Sequence, residues 1–115
     1  NAHAYNALGY SFADRGIRLD EAYKLIAKAT ELAPEDPFIM DSMGWVLFKQ
    51  GDLQGALVFL QKAYVLKKDA EIAAHLGEVL WMLGRQDDAQ RIWAEAAMRY
   101  PANGELKAVQ QKFLR

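Results

Sequence analysis

The 115-residue chain contains no cysteine. That excludes a disulfide scaffold, a thiolate zinc site and a cysteine nucleophile, and it leaves the redox compartment open. Histidine is nearly absent too. His3 and His75 are the only two, and neither belongs to an HExxH spacing, so they read as groove or surface histidines. Ser11 and Ser42 lack the GxSxG context of a nucleophile elbow. The stretch Gly9 to Gly16 holds no GxGxxG and no Lys-Ser/Thr pair, so no phosphate cradle is expected. There is no basic surplus: 14 Lys+Arg against 15 Asp+Glu give a net charge of −1, which argues against a polyanion-binding module. No apolar run approaches the roughly 20 residues of a spanning helix, and no basic n-region with an apolar h-region opens the chain. These absences leave no catalytic residue, metal ligand or cofactor to expect, and no membrane insertion of this segment.

What is present is a globular composition, 52% hydrophobic and 25% charged, with a strong internal period. Gly9, Gly44 and Gly77 follow one another at 35 and 33 residues, as do Gly16, Gly51 and Gly84. Ala22, Ala56 and Ala89 recur at 34 and 33, and so do Ala29, Ala63 and Ala96. A period near 34 means stacked supersecondary units.

Each unit divides at its second glycine. The stretches on either side carry apolar residues at helical spacing, with Ala56, Leu60, Ala63 and Tyr64 sharing one stripe. Asp36 before Pro37 reads as an N-cap followed by the first helical residue, and Asp52 as another cap. Glu35-Asp36 and Asp87-Asp88 read as helix-start carboxylates. Seven helices are predicted, over 2–14, 19–33, 37–50, 53–67, 70–83, 86–100 and 104–114. Gly9, Gly44 and Gly77 fall inside helices, where glycine costs about 1 kcal/mol relative to alanine. Close approach of a partner helix would offset that cost. Tyr5, Phe12, Ile26, Leu47, Leu60 and Trp93 are expected to fill the remaining space.

These recurrences resemble the tetratricopeptide repeat. The first unit offers Tyr5, Leu8, Gly9, Phe12, Ala22, Ile26, Ala29 and Pro34. The second offers Met40, Met43, Gly44, Leu47, Ala56, Leu60 and Ala63, and the third Ala73, Leu76, Gly77, Leu80, Ala89, Trp93, Ala96 and Pro101. The departures are an extra residue within 17–19, Lys68 in place of proline, and a small Ala73 where the pattern has an aromatic. The resemblance implies an all-α, right-handed α-solenoid of three helix-turn-helix units: about 2–36, 37–69 and 70–103. The half-apolar segment 104–115, with Leu106, Val109 and Phe113 on one face, reads as a capping helix.

The resemblance also implies a partner-binding groove on the concave face, lined by the first helix of each unit. The groove positions are Asn6 and Tyr10 in the first unit. In the second they are Phe38, Asp41, Ser42, Trp45, Phe48 and Lys49, and in the third His75, Glu78, Trp81 and Met82. His3, Ala7, Ala13, Asp14, Glu71 and Ala74 occupy the remaining such positions. Tyr10, Trp45, Phe48, Trp81 and Met82 lie off the Leu-Gly stripe and are expected to be exposed there; the alternative for each is packing between repeats. No cation stands at the positions with which related modules grip a terminal carboxylate, so that specificity is not expected.

The function expected is therefore that of a protein-interaction module, an adaptor or scaffold binding a peptide or protein partner through the concave face, the ligand offering apolar anchors and one basic residue. A spacer within a longer solenoid is the alternative, and RNA binding a remote one that the charge disfavours. The stretches LGYSFADRG, DSMGWVLF and HLGEVLW resemble the C-terminal repeats of larger proteobacterial tetratricopeptide proteins. That likeness implies a bacterial protein of the periplasm or cell envelope that meets envelope partners such as processing proteases, with the cytoplasm as the alternative location. The first residue is Asn1 and no capping element precedes it, so the chain reads as part of a longer protein. Its first helix is expected to present an apolar face capable of self-association.

Overall fold

All seven helices begin at the predicted residues in the computed structural model, which describes residues 1–114. They are α1 (Ala2–Asp14), α2 (Leu19–Leu32), α3 (Pro37–Lys49), α4 (Leu53–Leu66), α5 (Ala70–Met82), α6 (Gln86–Arg99) and α7 (Gly104–Phe113). The starts are set locally. The side chains of Asn1, Asp36, Asp52, Asp69 and Asn103 each accept backbone N–H bonds at the head of a helix, satisfying donors that have no partner inside the helix. The ends come one residue earlier than expected for α2 to α7. Ala33 and Tyr100 precede Pro34 and Pro101, and a residue before proline is pushed out of helical conformation. The cap ends at Phe113, and Arg115, which the sequence reading included in it, lies outside the described residues.

Three hairpins result, α1/α2, α3/α4 and α5/α6, and their turns are alike. Gly16, Gly51 and Gly84 adopt positive φ of 69°, 91° and 84°. Each closes the preceding helix with the paired bonds of a Schellman motif, as in Gly51 N to Phe48 O at 3.0 Å and Asp52 N to Leu47 O at 2.8 Å. The extra residue in the first turn is absorbed by Arg18, which takes a left-handed φ of 48° and sets its guanidinium over the Phe12 ring.

Within each hairpin the same contact recurs. A Cβ added at Gly9 would lie 2.7 Å from Ile26 Cγ1, and one at Gly44 would lie 2.6 Å from Leu60 Cγ. At Gly77 it would fall within the Trp93 indole. Ile26, Leu60 and Trp93 are each flanked on their helices by the periodic alanines, all buried. Glycine on one helix thus receives the bulk of the other, and the alanines let the backbones close. Tyr5 departs from the expectation of a core role: it stays exposed, as does Leu8, because among the described residues no helix covers that side of α1.

The hairpins stack into the expected right-handed solenoid. Its curvature follows from the packing. α1 touches α3, α3 touches α5, and α5 touches α7, while α2, α4 and α6 do not touch one another among the described residues. The odd-numbered helices are therefore crowded on the inner wall. α7 takes the place that the first helix of a fourth unit would occupy.

Gly77→Ala tests the packing directly. The clash with Trp93 should cost about 2 kcal/mol, exceeding the about 1 kcal/mol gained in helix propensity. Urea unfolding of the two proteins measures it, and an alanine variant as stable as the parent contradicts the contact.

Candidate functional site

The inner wall gathers side chains from four helices around His75. The imidazole sits on α5 with 3% exposure and stacks on the Trp45 ring of α3, centroid to centroid 3.9 Å. Its Nδ1–H donates to Asp41 Oδ1 at 2.9 Å. Its Nε2 faces the Tyr10 hydroxyl of α1 at 3.3 Å and Glu105 Oε1 of α7 at 3.8 Å. The Glu71 carboxylate of α5 lies close enough to the Tyr10 hydroxyl to act on it electrostatically. Asp41 and His75 are 34 residues apart, one period, so the repeat itself sets them side by side on neighbouring helices.

The electrostatics follow from this enclosure. Burial alone would push the His75 value down. The Asp41 charge and hydrogen bond, together with Glu105 and Glu71, outweigh it and hold the imidazolium above the ordinary histidine range. Burial raises the Glu105 carboxyl, Glu71 adds to the rise, and His75 opposes it. Burial and the neighbouring Glu71 carboxylate push the Tyr10 phenol well above its usual range. Asp41, Glu71 and His75 each bring one potential ligand atom to within 4.8 Å of the others. The sequence reading named no metal ligand, and the two His75 nitrogens here face Asp41 and Tyr10.

Two adjoining cavities open on this wall. One, of about 220 Å³, lies between α1, α3 and α5 and is lined by Asn6, Tyr10, Phe38, Asp41, Ser42 and Glu71, with Ala7 at its edge. The other, of about 180 Å³, lies toward α7 between Trp45, His75, Glu78, Glu105, Val109 and Lys112, with Asp14 and Ala108 beside them. Eight of the twelve expected groove residues line one cavity or the other.

The remaining four do something else. Phe48 stacks on Trp45 at 4.9 Å. Lys49 lies over the Trp45 ring and donates to the Asp14 carbonyl. Trp81 stacks on Trp93 at 5.9 Å and packs on Phe113 at 5.5 Å. Met82 is exposed and borders neither cavity.

The expected exposure of the aromatics is thus corrected. Trp45 is 5% exposed, closed between His75 and Phe48, and its indole N–H donates to Asp14. Tyr10, Phe48 and Trp81 are half-buried: Tyr10 meets His75 of the third unit, Phe48 stacks on Trp45 of its own helix, and Trp81 packs on Trp93 of its own hairpin and on Phe113 of α7. Phe38 is the open aromatic, 43% exposed at the lip of the first cavity. Asp41 and Ser42 are buried as well, and the Ser42 hydroxyl donates to the Phe38 carbonyl.

The contribution of α7 was missed. Glu105, Val109 and Lys112 follow the i, i+4, i+7 spacing of one helix face, and Lys112 pairs with Glu78 at 3.5 Å. On the α4 side, Val58, Val65 and Leu66 stay exposed around a shallow depression that the sequence reading did not single out.

Comparison with known proteins bears on this geometry. The sequence profile of the tetratricopeptide repeat family matches residues 47–113. The chain belongs to the tetratricopeptide repeat family. It is 54% identical over 78 residues to a tetratricopeptide repeat-containing protein of Pseudomonas aeruginosa, a match covering 68% of this chain but only 13% of that relative. Solved structures of low identity share its fold. A thermophilic tetratricopeptide protein of Thermus thermophilus superimposes with TM-score 0.84 at 22% identity, covering 100% of this chain and 65% of the other. PcrH, solved with the chaperone-binding region of PopB, gives 0.77 at 20%, covering 96% and 90%. The first repeat domain of Spaghetti, bound to the HSP90 peptide SRMEEVD, gives 0.79 at 18%, covering 99% and 94%.

The His75 cluster generates a pH prediction. A folded imidazolium that holds its proton more tightly than the unfolded chain adds stability. That stability is fully present below the ordinary value of 6.5 and is lost as pH rises through the raised value. Urea unfolding of the parent should give a free energy that falls as pH climbs from about 6.5. His75→Leu should remove that slope and cost about 3 kcal/mol by leaving the buried Asp41 carboxylate unpaired. A parent profile that rises over this window contradicts the assignment.

Proposed function

We propose that this chain is a protein-interaction module that receives a peptide or a segment of a protein partner on the wall formed by α1, α3, α5 and α7. One observation carries the reading: two cavities adjoin on that wall, each bounded by side chains from at least three helices. A ligand spanning them would touch every repeat and the cap at once. The wall is preformed, since Trp45 and His75 are locked by stacking and Asp41 by its bond to His75. Preorganisation lowers the ordering cost of binding. Two proteins of the same fold, PcrH and Spaghetti, were solved with peptide or protein segments bound, which supports the same use here. The rings that flank the cavities give apolar area, with Phe38 as the open anchor.

The test is to plug the cavities without disturbing the core. Ala7 and Ala108 are exposed at the two cavities. Peptides retained from a diverse array should bind Ala7→Trp and Ala108→Trp at least about tenfold more weakly than the parent, a loss typical of blocking an anchor pocket. Val65→Arg, on the α4 side, should bind as the parent does. Affinities that survive both tryptophans but fall with Val65→Arg would move the binding surface to the other face.

A further inference from the structure

We infer that the partner segment is basic, and that a lysine or arginine side chain enters the cavity between Asp41 and Glu71. The inference rests on the concave wall being the binding surface and goes on to name the chemistry it selects.

Charge complementarity is the first argument. Five carboxylates, Asp14, Asp41, Glu71, Glu78 and Glu105, line the two cavities, with one lysine, Lys112. That is a formal −4 on one wall of a chain whose total is −1. The acidity is therefore placed, and the remainder of the surface is on balance positive. A concave surface of one sign focuses its field into the cavity and steers a ligand of the other sign.

The second argument concerns which charges are already answered. Lys112 pairs with Glu78. Lys49 donates to a backbone carbonyl and covers Trp45. Among the described residues no lysine or arginine pairs with Asp41, Glu71 or Glu105. Three carboxylates share the single imidazolium of His75, which leaves a formal −2 even when His75 is charged. Partly enclosed like charges are costly without a counter-charge.

The third argument is the acceptor inventory of the α1–α3–α5 cavity. The Asn6 side-chain oxygen is closed off from solvent and has no donor. The Ser42 hydroxyl spends its proton on the Phe38 carbonyl, which leaves its lone pairs as acceptors. Asp41 and Glu71 add carboxylate oxygens. The lining side chains thus offer far more acceptors than donors, as a multi-donor ammonium or guanidinium requires. Phe38 at the lip provides a face for the aliphatic stem. A bare divalent cation would use the same carboxylates, but it would have to displace the hydrogen bond that already joins His75 to Asp41.

The test compares three peptide sets on the intact chain. Each peptide has two flanking leucines or phenylalanines and a central lysine or arginine, norleucine, or glutamate. Fluorescence polarisation should give lysine or arginine peptides at least about tenfold tighter binding than norleucine ones, the order expected of a charged hydrogen bond. Glu71→Gln should reduce that preference to within about threefold, and Glu31→Gln on α2, away from the cavities, should change neither the preference nor the binding of norleucine peptides. Raised salt should weaken only the basic set.

Equal binding of the norleucine or glutamate set, blocked by Ala7→Trp, would overturn the basic preference and leave the concave site standing. Failure of every set to bind overturns the preference as well. Zinc titrated calorimetrically is the remaining arm: tight uptake abolished by Glu71→Gln, with no preference among peptides, would assign the carboxylates to a metal and overturn the inference.

Discussion

Everything in this molecule depends on how closely two helix backbones approach where one presents glycine and the other a large side chain between two alanines. Gly9 meets Ile26, Gly44 meets Leu60, and Gly77 meets Trp93. The contact fixes the spacing within a hairpin, and its repetition fixes the period of the sequence. It also has a consequence for shape. The first helices of successive hairpins touch one another while the second helices do not, so the stack curves and an inner wall exists at all. Large residues at those glycines would force apart the two helices of each hairpin.

The inner wall is held by different chemistry. Small residues make the hairpins, but a polar group, His75, joins α5 to α1, α3 and α7. Buried polar networks of this kind are costly unless every member is satisfied. Here the imidazolium supplies N–H donors to Asp41 and toward Tyr10, and the Trp45 ring closes its face. The wall can therefore be rigid and acidic together, with some of its carboxylates bound into the scaffold and others left facing the cavities. Asp41 is tied to His75, whereas Glu71 pairs with no lysine or arginine among the described residues and lines the α1–α3–α5 cavity.

Much of the fold was legible in the sequence because its determinants are local or periodic. Asp36-Pro37 and Asp52 mark helix starts through their own backbone bonds, and the second glycine of each unit marks a left-handed turn. Ends were less legible: Ala33 and Tyr100 leave the helix because of the proline that follows each. Tyr5 was misjudged for a global reason, since a repeat position is buried only when a neighbouring helix covers it. Eight of the twelve expected groove positions line a cavity on the inner wall, but their environments were not foreseen. Asp41, Trp45 and His75 fall on the expected wall, yet the burial of Trp45 depends on the angle at which α5 stacks on α3, which no spacing encodes. Glu105, Val109 and Lys112 were hidden by treating α7 as a cap, although their spacing along one face could have revealed a lining role.

The most direct measurement is a chemical-shift map of the isotope-labelled chain with a saturating array-selected peptide. The account predicts perturbations concentrated on α1, α3, α5 and α7, with the His75 ring and Trp45 indole resonances among the largest. Perturbations confined to Val58, Val65, Leu66 and their neighbours on α4, with the His75 ring unmoved, would contradict it.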